Sequence, residues 1–98
     1  MFEIDFGEDG VIVVVGRLDA AEADRAQAFL DEVPGACVLD MQKLEYISSA
    51  GLGVLLKTHK RLTAVGSGLK MIKVSSHIND IFKYSGFDRL FEIETADD

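Results

Sequence analysis

The chain has 98 residues, 48% of them hydrophobic and 8% aromatic, with 17 acidic against 10 basic residues for a net charge of −7. That length suits one domain, residues 1–98, with a core it can bury without staples, and the charge opposes nonspecific binding to nucleic acid or anionic membranes. The single cysteine, Cys37, leaves no intramolecular disulfide or Cys-rich metal site and favours a reducing, cytoplasmic setting, while no apolar run nears the roughly 20 residues that span a bilayer and "MFEIDFGEDG" lacks a signal peptide's basic flank and apolar stretch.

Phe2, Ile4 and Phe6 alternate with Glu3 and Asp5, the period of a strand with one wet face. "GEDG" supplies turn residues, and the β-branched run Val11 to Val15 predicts a second strand buried on both faces, hairpin-paired with the first. Asp19, followed three residues on by Glu22, predicts the capped start of a helix. Ala23, Ala26, Leu30 and Val33 give that helix its spacing, and Pro34 with Gly35 stops it. "ACVLDM", Ala36 to Met41, is a third strand and "QKLEYI" a loop. A second helix is expected from about Ala50 to Val65, with Leu52, Leu55, Leu56 and Leu62 as its apolar stripe. "LKMIKV", Leu69 to Val74, is a fourth strand. Ile78, Ile81 and Phe82 mark a third helix, capped by Ser75 or Ser76 and closed by Gly86, and "LFEIE", Leu90 to Glu94, is a last strand before the acidic end "TADD". The order β-β-α-β-α-β-α-β implies one α/β domain with a mixed β-sheet and its helices packed largely on one face.

Ser48 and Ser49 stand where the second helix begins. A serine there caps orphan backbone amides. The same position suits a phosphoryl group, because exposed amides and the positive helix end tolerate its charge.

Three stretches resemble the STAS domains of bacterial anti-sigma factor antagonists: "GRLDAAEA", "LEYISSAGLGVLL" and "VSSHINDIFKYSGFDRLFEI". The resemblance, with the element order, covers nearly the whole chain and implies the STAS fold. Its central segment is the specific one. The family's acceptor commonly lies in an Asp-Ser-Ser-Gly or Asp-Ser-Thr-Gly run with the first hydroxyl phosphorylated. Set against "SSAG", the acceptor is Ser49, Ala50 replaces the second hydroxyl residue, Gly51 keeps its place and Ser48 stands where aspartate is usual. That substitution leaves Ser48 as the alternative acceptor.

The resemblance further implies a partner-switching cycle. The unphosphorylated protein binds an anti-sigma factor that is itself a serine kinase and so frees a sigma factor. Phosphorylation ends the binding, and a serine phosphatase restores it. On this reading the chain is a substrate and not an enzyme, and it needs no cofactor. Gly51 and Gly53 either let the partner approach the first helical turn or serve tight packing. Val54 and Lys57, a turn apart, line the docking surface if they face outward. Asp19 either caps its helix or faces the partner. The runner-up is a constitutive STAS interaction subunit of a lipid-transport or signalling assembly, with Ser49 as a mere cap.

Other chemistry finds less support. "GLGVLLKT" lacks the glycine a P-loop places before its lysine, and His59 and His77 have no metal-ligand spacing. Ser49, His77 and Asp40 can be written as a triad, but no nucleophile elbow or oxyanion hole accompanies them. Asp40 either bonds to the serine loop or stays solvated, and Cys37 reads as a buried small hydrophobe.

Overall fold

The computed structural model describes residues 1–96; the last two residues of the acidic end, Asp97 and Asp98, lie outside the described residues. Eight elements follow in chain order: β1 (Phe2–Phe6), β2 (Ile12–Leu18), α1 (Ala23–Asp31), β3 (Cys37–Ile47), α2 (Ser49–Ala64), β4 (Leu69–Val74), α3 (Ser76–Ser85) and β5 (Glu92–Thr95). The strands form one five-stranded sheet in sequential order, β1 antiparallel to β2 and the remaining neighbours parallel. The mixed sheet expected from the element order is therefore present.

Inward side chains of the strands and the apolar sides of all three helices share one core, which places the helices on one face of the sheet. Ile12, Val14 and Leu18 of β2 and Leu39 and Met41 of β3 meet Ala26 and Leu30 of α1, Leu55 and Leu62 of α2, and Ile78 and Phe82 of α3. The opposite face is open. Val13 and Val15 are half-buried there, so β2 alternates rather than being buried on both faces as its valine run suggests. A β-branched run cannot distinguish these cases, because its composition is the same on either side.

Strand β3 corrects a second expectation. It continues through "QKLEY" to Ile47, where a loop is predicted, because β2 runs on to Leu18 beside it. Two register shifts, between Val13 and Val15 and between Gly16 and Arg17, absorb the extra residues and break the apolar alternation. Gly16 lies at φ +91°, and a Cβ there would collide with the Met1 carbonyl oxygen. Only glycine lets β1 and β2 close this tightly.

The helix ends are locally encoded. Ser75 Oγ accepts from the Ile78 N–H at 3.2 Å, and Gly86 closes α3 at φ +78°. The carboxyl end of α1 is held from a distance: Arg61 Nη2 donates to the carbonyls of Leu30 and Val33 at 2.8 and 2.9 Å, stapling α2 to α1. On α2 the buried side is Gly51, Val54, Leu55, Thr58 and Leu62, whereas Leu52 and Leu56 of the expected stripe are half-buried. The last strand begins at Glu92 rather than Leu90, which stands 48% exposed after a short 3-10 turn.

Candidate functional site

In the parallel part of a sheet, sites gather at the carboxyl ends of the strands. Here the ends of β2 and β3 lie side by side, and the Ser48 N–H donates to the Leu18 carbonyl at 2.9 Å. This bond sets Asp19 and the first turn of α2 on one rim.

The two serines divide their tasks. Ser48 is the N-cap: its backbone is extended and its Oγ accepts from the Gly51 N–H at 3.2 Å. Ser49 is the first helical residue, exposed, with no side-chain hydrogen bond among the described residues. Ser48 is half-buried with its hydroxyl engaged, whereas Ser49 offers an open hydroxyl on the positive end of a 16-residue helix.

Asp19 takes a cap's geometry one turn early. Its Oδ1 accepts from the N–H groups of Ala21 at 3.1 Å and Glu22 at 3.3 Å, closing the turn that leads into α1. The helix proper starts at Ala23 with Glu22 as its N-cap residue, and no side chain caps it. Glu22 does not reach back to Asp19; its carboxylate pairs with Arg25 at 3.2 Å.

The glycines also separate. A Cβ on Gly51 would lie 2.7 Å from Ile47 Cγ1, 2.8 Å from the Leu18 carbonyl oxygen and 2.9 Å from Leu18 Cγ. Gly51 thus serves the packing of α2 onto the strand ends. A Cβ on Gly53 would meet nothing within 4 Å.

Gly53 opens instead onto a groove of about 290 Å³ between α1 and α2, lined by Ala23, Asp24, Gln27, Ala50, Gly53, Val54 and Lys57. Val54 does not lie on an outer face, as its spacing from Lys57 suggested: it is 5% exposed and forms the groove's floor, with Lys57 exposed at its edge. Ala23, Asp24 and Gln27 were missed from the sequence, where nothing but the pairing of α1 with α2 could have found them. Gln27 Nε2 donates to Asp31 Oδ1 and Thr58 Oγ1, and its Oε1 is enclosed without a donor.

The remaining polar candidates lie elsewhere. Asp40 neither holds the serine loop nor stays solvated. It sits mid-strand on the open face, its Oδ1 accepting from the Gln42 N–H and its Oδ2 3.6 Å from Lys73 Nζ. His59 Nδ1 accepts from the Leu69 N–H at 3.3 Å, and its ring meets Phe91 edge-on. His77 is exposed on the first turn of α3. Cys37 is buried, and burial pushes its thiol up to about 11. Among the described residues no group of three or more His, Cys, Asp or Glu could hold a metal ion, and no helix is long and apolar enough to cross a membrane.

The profile of the family described as "Mlab, STAS domain" matches residues 5–93. A Bordetella bronchiseptica protein, provisionally named anti-sigma factor antagonist BtrV, is 34% identical over 94 residues, covering 90% of this chain and 81% of its own. The anti-sigma-B factor antagonist of Listeria monocytogenes is 29% identical over 90 residues, covering 88% and 79%. The Bacillus cell fate determinant SpoIIAA, solved in its phosphorylated form, superposes with a TM-score of 0.67 at 19% identity over 97% of this chain and 92% of its own.

Proposed function

The chain belongs to the STAS domain family, and from that premise we propose that it is an anti-sigma factor antagonist switched by phosphorylation of Ser49. Unphosphorylated, it binds an anti-sigma factor serine kinase in the cytoplasm and frees the sigma factor. The kinase transfers a phosphoryl group to Ser49, the complex dissociates, and a serine phosphatase resets the chain. In this cycle the protein is ligand and substrate rather than catalyst.

The observation that carries the reading is the division of labour at the start of α2. Ser48 holds the helix end, and Ser49 stands exposed beside it at the rim that Asp19 shares. Between Ala50, Gly53, Val54 and Lys57 on one side and α1 on the other, the adjoining groove offers a surface for the partner.

The switch follows from charge. A phosphate adds about −1.5 to −2 charge and three acceptor oxygens. Within the free protein that charge lies at a helix N-terminus, where it is favourable by about 0.3–1 kcal/mol. Within an interface lacking basic partners, its burial costs far more than the ~1.4 kcal/mol of a tenfold affinity step. The complex is broken while the fold is kept.

Titration of the purified serine-kinase anti-sigma factors of the same cell, with ADP, tests the proposal. Ser49→Asp should bind at least tenfold more weakly than wild type. Ser49→Ala should bind like wild type and resist release by ATP. Equal binding by both variants, with no phosphate on either serine, would overturn the switch and favour the constitutive interaction subunit.

A further inference from the structure

The open face of the sheet carries a patch that the helix-side groove does not include. Arg17 and Tyr46 are register partners at the carboxyl ends of β2 and β3. The Arg17 guanidinium carbon lies 4.4 Å from the centroid of the Tyr46 ring. Both belong to the face opposite the helices, since Gly16 and Leu18 on either side of Arg17 are buried. Two register steps back on the same face, Val15 pairs with Lys43. Val15 and Tyr46 are half-buried, Arg17 and Lys43 exposed.

Neither cation forms an ion pair among the described residues, whereas Arg25, Arg61, Lys70 and Lys73 all do. In a chain of net charge −7, Arg17 and Lys43 are two cations outside any ion pair on one aromatic and aliphatic base, with exposed Glu3, the partner of Val15, and Glu45 at its margin. Stacking on Tyr46 pre-orders Arg17, so less side-chain entropy remains to be lost when it meets an anion. The patch also adjoins the candidate site. Leu18, the residue after Arg17, accepts the hydrogen bond from Ser48, and Ser48 follows Tyr46 by two residues.

We infer that Arg17, stacked on Tyr46 and flanked by Lys43, is a specificity-determining contact that receives a carboxylate-bearing segment of the anti-sigma factor kinase on the open sheet face. The inference rests on the proposed function. A partner that reaches Ser49 over the strand ends meets Arg17 by extending beneath the sheet rather than along the helices. Complementary charge at such a position selects among related kinases and speeds encounter.

The test titrates the full-length kinase that binds the wild-type chain, in ADP, against Arg17→Ala, Arg17→Glu and Arg17→Lys at two salt concentrations. Lys83→Glu on α3 serves as the control for net charge, and thermal unfolding checks that each variant is folded. Arg17→Glu is expected to weaken binding tenfold or more and Arg17→Ala several-fold, with Arg17→Lys between Ala and wild type and Lys83→Glu unchanged. The salt dependence of Arg17→Ala should be shallower than that of wild type. In phosphorylation kinetics KM should rise with kcat unchanged. Arg17→Glu binding within twofold of wild type overturns this inference and leaves the proposed function standing. Failure of every kinase to bind the wild-type chain overturns both.

Discussion

Gly51 and Gly53 are two residues apart in the first turns of one helix, yet alanine at each should act with opposite sign. In a helix interior alanine is favoured over glycine by about 0.8–1 kcal/mol. At Gly53 nothing lies within 4 Å of the new methyl, so that gain is realised and Gly53→Ala should be more stable by about 0.5–1 kcal/mol. At Gly51 the methyl would enter a space bounded at 2.7–2.9 Å by Ile47, the Leu18 carbonyl and the Leu18 side chain. Overpacking of this kind costs about 1–3 kcal/mol. The carbonyl cannot yield easily, because it already holds the Ser48 N–H. The helical gain offsets part of the cost, leaving Gly51→Ala less stable by up to about 2 kcal/mol. In a chain of this size each kcal/mol moves the melting temperature by about 4–8 °C, so the two variants should bracket wild type. Urea unfolding followed by circular dichroism, with equal slopes, gives the comparison. A stabilising Gly51→Ala would refute the packing of α2 on the strand ends. Because Gly53 lines the groove, Gly53→Ala should also weaken kinase binding while raising stability, an opposition that a purely structural glycine would not produce.

Three further expectations follow from single contacts. Ser48→Ala should cost about 1 kcal/mol of stability through loss of the cap on Gly51, whereas Ser49→Ala should stay within about 0.5 kcal/mol; a larger effect at Ser49 in chemical denaturation would reverse their assignment. Arg61→Ala removes the donor to both carbonyls at the end of α1 and should destabilise by about 1–3 kcal/mol, read by the same method, with no loss meaning that α1 ends without the staple. Cys37, held neutral by burial, has a raised folded-state pKa of about 11. Its contribution is therefore whole below the unfolded thiol's ordinary value of 9.0 and declines as pH rises from there through about 11. Over that window Cys37→Ala should lose stability with pH less steeply than wild type, and parallel curves would contradict the assignment.

The parts of this fold legible in the sequence are those with local causes. The bounds of β4, a cap of α3 at Ser75 or Ser76 and its Gly86 stop follow from residues within a turn of each end, and the backbone assigns the cap to Ser75. The sequence shortens β3 to Met41 because Gln42, Lys43 and Glu45 are polar and the bulges spoil the period of two; only pairing with β2 extends it. The spacing that pairs Val54 with Lys57 on an outer face misleads for a similar reason. The leucines Leu52 and Leu56 outweigh it in any hydrophobic count, yet α1 packs so that the buried line runs through Gly51, Val54, Leu55 and Thr58. At the site, the serine pair could be read from the chain, but the closeness of Asp19, and which serine caps and which is free, depend on the backbone and on the pairing of β2 with β3. Arg17 carried no signal, because its stacking on Tyr46 is a contact between strands 29 positions apart in sequence.

The most direct measurement of the central claim is residue-resolved phosphopeptide mapping of the Tyr46 to Lys57 segment, on protein isolated from its own cells during growth and under stress. Phosphate is expected on Ser49, with an occupancy that changes between the two conditions, and none on Ser48. Phosphate confined to Ser48, or none on either serine with full coverage of the segment, would contradict it.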